Sequence, residues 1–199
     1  MSNDFSSETE IEADSRWVAS YLKLEGNKAL VDIPRDYLSD KFNYYGLEKF
    51  MKNLENSFKA INSMVPARLQ SDESRLYILI HQRYILTPQG LEKMFEKVGK
   101  KAYGICMRMG CEEIPLIPFG VSLTPKISPM KVYCYNCKNV YEPNVSTNLD
   151  GCAFGRYFAH IFELTYKKRL IKSKFRQYEP RIHGFKIHYT SESDEENNF

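Results

Sequence analysis

Four of the five cysteines fall into two short pairs. Cys106 and Cys111 have four residues between them, Cys134 and Cys137 have two, and 22 residues separate the pairs. Each pair can offer two thiolates from a tight turn, and the intervening loop can close both turns around one ion. The spacing therefore predicts a tetrahedral zinc site with four cysteine ligands. The competing reading is four buried cysteines acting as small hydrophobes. It leaves a proline-rich segment with little core of its own and nothing to hold it folded, so zinc is favoured. Sulfur fills all four positions and leaves none for water, so the single Zn2+ is expected to be structural.

The rest of the chain divides around this segment. Residues 104–151 hold five of the nine prolines and short β-prone pieces, Lys131–Tyr133 and Val140–Tyr141, with no helical period of useful length. Before them, apolar residues recur at helical spacing. Leu47, Phe50, Met51, Leu54, Phe58 and Ile61 predict one helical face. A second helix is expected from Ser71 as N-cap to Leu86, its Leu76–Ile80 run apolar nearly all round. Thr87 as N-cap, Pro88 at the first helical position, the stripe Leu91, Met94, Phe95 and Val98, and Gly99 at the end predict a third. Ala153–Leu164 reads equally as helix or strand. The fold class expected is α+β, an all-helical domain over 16–103 followed by a zinc-ribbon domain over 104–165. A basic segment and the apolar island Ile182–Tyr189 follow over 166–190, between acidic tails at 1–15 and 191–199 that are expected to be disordered.

Charge sharpens this division. The net charge is only +3, but the two tails hold nine of the 25 acids and none of the 28 bases, leaving residues 16–190 at +12. The longest purely apolar run, Leu76–Ile80, is far short of the roughly 20 residues a membrane span needs. The first residues lack the basic and apolar regions of a secretory signal, so an intracellular place, cytoplasm or nucleus, is expected. No phosphate loop, G-x-S-x-G elbow or H-E-x-x-H helix is present. His81, His160, His183 and His188 are not spaced as ligands, and Cys152 reads as a packed thiol. An enzyme is disfavoured.

Several stretches together resemble one family, the regulatory (beta) subunit of casein kinase II. Asp36, Tyr37, Asp40, Lys41, Phe42, Asn43, Gly46 and Leu47 match in DYLSDKFNYYGL, and Ile80, His81, Arg83–Thr87 and Gly90 match in IHQRYILTPQG. The cysteine spacing matches in full, with Pro118 and Gly120 in register and Lys131 and Tyr133 before Cys134. Asp150, Gly151, Phe154, Gly155 and His160 follow, then PRIHGFKIH over 180–188. Met107 and Tyr135 stand where the family usually has proline, and His183 where it has an aromatic residue. The family's acidic, polyamine-associated loop should fall near 64–74, which here has two acids and an arginine.

The resemblance implies a non-catalytic subunit that dimerises through its zinc ribbon, holds catalytic (alpha) kinase subunits by a C-terminal hairpin, and modulates the choice of protein substrates. It points to His183, Phe185 and Ile187 as partner-binding residues and to Met107, Met109, Val132 and Val140 as candidates for the dimer face. Ser6 and Ser7 become candidate phosphorylation sites, because the family is phosphorylated at its N-terminus. The alternative from another class is a zinc-ribbon nucleic-acid-binding factor. Residues 126–190 hold 12 bases against four acids, including Lys167, Lys168, Arg169, Lys172, Lys174 and Arg176 beside Phe175. No recognition helix or RNA-binding signature accompanies that charge, so nucleic acid is disfavoured as a partner.

Overall fold

The computed structural model describes residues 17–63, 71–144, 148–173 and 179–187. The tails, with Ser6 and Ser7, lie outside the described residues, as do most of the loop near 64–74, Lys174, Phe175, Arg176 and His188.

Helices dominate up to Gly99. Helix α1 spans Trp17–Lys23 and α2 Arg35–Ser39, followed by 3₁₀ turns at Lys41–Tyr44 and Glu48–Phe50. The helix expected over Leu47–Ile61 is broken: Met51 is extended, and α3 begins only at Leu54 and ends at Asn62. Asn53 explains the break, because its side chain accepts the Asn56 N–H at 3.0 Å and caps the helix there. Helix α4 (Ser71–Tyr84) is the centre of the core. Its Leu76, Tyr77, Leu79 and Ile80 are buried, as the all-round apolar run requires. Helix α5 (Pro88–Gly99) starts as expected, with Thr87 Oγ1 accepting the Gly90 N–H at 3.1 Å. Leu91, Met94 and Val98 are buried along its inner face.

The second half carries a three-stranded antiparallel sheet in the order β1 (Ile117–Phe119), β2 (Lys131–Cys134), β3 (Asn139–Tyr141). The stretch that read as helix or strand resolves into a 3₁₀ turn at Gly151–Ala153 and helix α6, Phe158–Tyr166. A two-stranded hairpin, β4 (Arg181–Ile182) and β5 (Phe185–Lys186), closes the described chain. Among the described residues, no helix is long and apolar enough to cross a membrane.

The change of texture near residue 103 separates helix from sheet, but it does not separate two cores. Rings run in contact from Trp17 and Tyr21 through Tyr77 and His81 to Phe154, Phe158, Phe162 and Tyr166, which packs on Phe95 of α5 at 4.4 Å. His81 is the polar pivot of this line. Its Nε2 accepts the Val31 N–H at 3.0 Å, which leaves Nδ1 to donate to the Ala153 carbonyl at 2.8 Å. One neutral ring thus ties α4 to chain segments 50 and 72 residues away.

Burial lowers the pKa of His81 from 6.5 to about 4, against the opposing pull of the Ala153 bond. The native state therefore prefers the neutral ring. Its contribution is complete above pH 6.5 and is lost as the pH falls toward 4, in total on the order of 3 kcal/mol. Urea midpoints at pH 7 and pH 5 should differ by less in His81→Gln than in the parent. Equal pH slopes in the two proteins would refute this assignment.

Candidate metal centre and docking hairpin

The first cysteine turn follows an isolated bridge between Ile105 and Pro115. The Cys106 N–H donates to Ile114 O at 2.8 Å and the Cys111 N–H to Arg108 O at 2.9 Å. Gly110 takes a left-handed φ of 83°, which lets this short loop reverse. In the second turn Cys134 ends β2, and the Lys138 N–H returns to its carbonyl at 2.8 Å before β3 begins. The long 22-residue connection is used as β1 and the return into β2, so the sheet itself brings the two turns together.

All four sulfurs lie within 4.8 Å of one another, and Cys106 Sγ is 3.9 Å from Cys137 Sγ. A tetrahedral ion with metal–sulfur bonds of about 2.3 Å needs sulfurs about 3.8 Å apart. Cys106, Cys111 and Cys134 are buried and Cys137 is half-buried. Burial pushes the Cys106 and Cys134 thiols above their ordinary range. Burial also acts to raise Cys137, but hydrogen bonds from the Tyr141 hydroxyl, at 3.2 Å, and the Asn139 backbone bring it down to about 7. Without a cation, sulfurs this close divide their protons unequally. A dication among them removes the penalty for four thiolates. The cluster can hold a metal ion, and its all-sulfur donor set is compatible with zinc.

Further along, His183 and Gly184 take φ of 47° and 87°, the left-handed pair of a tight two-residue hairpin turn. The register places Ile182 opposite Phe185 and Arg181 opposite Lys186. Ile182 and Phe185 therefore share one face, and Phe185 is 79% exposed. Arg181 and Lys186 both pair with Glu179, at 3.1 and 2.9 Å, which braces the hairpin. The Ile187 N–H donates to Pro180 O at 3.0 Å, extending the ladder by one rung. Ile182 was not among the expected binding residues. The tight His-Gly turn was the signal that makes it the cross-strand neighbour of Phe185.

The proposed dimer face needs one correction. Met107 and Met109 are 77% and 83% exposed and Val140 is partly so, but Val132 is fully buried. Val132 pairs with Tyr141 and Val140 with Tyr133, so the two valines point to opposite faces of the sheet. The basic stretch is also less free than its composition suggests. Arg169 lies 4.0 Å over the Phe95 ring and pairs with Glu92 at 3.3 Å. Cys152 is buried, and burial together with Asp150 raises its thiol, as a packed cysteine requires.

The sequence model of the casein kinase II regulatory subunit matches residues 16–186, which takes in all four cysteines and the hairpin to Lys186. The chain belongs to that family. Relatives in the casein kinase II regulatory subunit family agree over nearly the whole length. The chain is 34% identical to casein kinase II subunit beta-2 of Neurospora crassa over 196 residues, covering 94% of this chain and 69% of that one. It is 34% identical to casein kinase II subunit beta' of Drosophila melanogaster over 189 residues, covering 89% and 86%. It is 34% identical to casein kinase II subunit beta of Schizosaccharomyces pombe over 194 residues, covering 92% and 84%. Membership of a casein kinase II regulatory family makes this a regulatory chain and not a catalytic one.

Proposed function

We propose that this chain is the zinc-stabilised regulatory subunit of an intracellular Ser/Thr kinase. In this reading it dimerises through the sheet-bearing ribbon, binds catalytic alpha subunits by the hairpin, and modulates the choice of protein substrates. The observation that carries the reading is the braced hairpin, which holds Phe185 and Ile182 out on one face in a chain of this family. Exposed aromatic side chains on a preorganised backbone supply binding energy at low entropic cost. The exposed methionines Met107 and Met109, with Val140, support a second interface at the metal-bearing end. Zinc would hold that end in shape and take no part in chemistry. Ser6 and Ser7 would be the phosphorylated positions of the N-terminal tail, and the kinase's protein substrates would dock on the basic body.

Phe185→Ala should weaken binding to the catalytic subunit by about 30-fold or more, equivalent to about 2 kcal/mol. Calorimetry with the purified catalytic chain measures this directly. His183→Ala, at the turn, should cost less. Unchanged affinity for Phe185→Ala removes the hairpin from the interface.

A further inference from the structure

Beyond α6, Ser173 is fastened beside the cysteine cluster. The Ser173 hydroxyl donates to Gly110 O at 2.9 Å and accepts from Asn136 Nδ2 at 3.0 Å. The same Asn136 amide donates to Cys111 Sγ at 3.2 Å. An amide nitrogen carries two hydrogens and a hydroxyl can donate once and accept, so all three bonds form together. Asn136 sits between the ligands of the second turn and reaches a ligand of the first. Ser173 adds a third segment, 37 residues from Asn136 and 63 from Gly110.

We infer that Asn136 and Ser173 are positioning residues that couple metal retention to the order of the C-terminal arm. This rests on the proposed zinc site. A donor aimed at a thiolate favours its charged, metal-binding form, and outer partners of this kind are worth about 10- to 100-fold in metal affinity. Gly110 is the residue whose left-handed backbone turns the first pair, so a bond to its carbonyl holds that turn closed. Coupling of this kind is reciprocal. A filled cluster presents Asn136 and Gly110 in place for Ser173, and a seated Ser173 slows loss of the ion. The arm between Arg169, stacked on Phe95, and Ser173 is then fixed at both ends, before the chain continues toward the hairpin.

Full-length protein carrying zinc tests this with two readouts, first-order zinc release into excess colorimetric chelator and hydrogen exchange over 167–173 and 179–187. Ser173→Ala should release zinc several-fold faster and exchange faster in both segments. Asn136→Leu should release it about tenfold faster. Ser173→Thr keeps the hydroxyl and should restore both readouts toward the parent. Release within twofold of the parent in Ser173→Ala, or unchanged exchange of the arm, overturns the coupling while the zinc reading stands. Parent protein that binds no zinc overturns the metal reading and this inference with it.

Discussion

With the proposed zinc in the cysteine cluster, Cys134→Ser should cost the protein its metal and melt the sheet around it. The three strands have three, four and three residues, too short to hold as a sheet on their own hydrogen bonds. Residues around them bury Ile117, Val132 and Tyr135, but the turns that position these residues are built on the cysteines. Zinc binding to small cysteine sites contributes about 10–16 kcal/mol of folding free energy. Removing one ligand forfeits much of it and leaves three thiols crowded with no ion between them. Metal analysis should fall from one zinc per chain to a small fraction. The melting temperature should drop by about 10 °C or more, since each 1 kcal/mol moves a chain of this size by about 2–4 °C. A Cys134→Ser protein that keeps a full zinc and its melting point would show that this cysteine is no ligand.

The second large effect involves no ligand at all. A Cβ placed on Gly120 would lie 1.9 Å from Gly151 O, 2.7 Å from Gly151 C and 2.8 Å from Gly155 N. These are backbone atoms, so no rotamer change relieves the clash. The chain leaving β1 would have to withdraw, breaking the Gly120 N–H to Gly155 O bond of 3.2 Å. The displaced turn is the one whose Ala153 carbonyl receives His81. Gly120→Ala should therefore cost more than about 4 kcal/mol, the range reserved for changes that break a core. Denaturant unfolding measures it. Gly99→Ala is the control, because nothing lies within 4 Å of its Cβ position and it ends a helix, so it should be neutral or slightly stabilising. Equal stabilities for the two variants would refute the close-packing argument.

These two sites differ in how far the sequence discloses them. The cysteine pairs are legible because ligand spacing is a local signal, and the Thr87–Pro88 start of α5 is legible because capping acts within three residues. The break before α3 is not. The apolar period runs unbroken through Met51, and only the preference of Asn53 for a cap opposes it. The pairing of His81 with Val31 and Ala153 is invisible for another reason, since its partners lie 50 and 72 residues away and are backbone groups without sequence identity. Val132 and Val140 look alike as β-prone valines until register assigns them opposite faces. Asn136 and Ser173 carry no spacing signal at all. Their bonds bring together residues 37 and 63 positions apart at the cysteine turns, which only tertiary structure determines.

The continuous line of rings from Trp17 to Tyr166 has a consequence for how this fold can be divided. A chain ended after Tyr103 would uncover His81 and Phe95 together, while one begun there would lose the surface on which Phe154 and Phe162 rest. The sheet-bearing half thus rests its rings on helical residues, and neither half buries them without the other. Change at His81 or Phe95 is therefore felt across that boundary, by Phe154 and Phe162 in the other half.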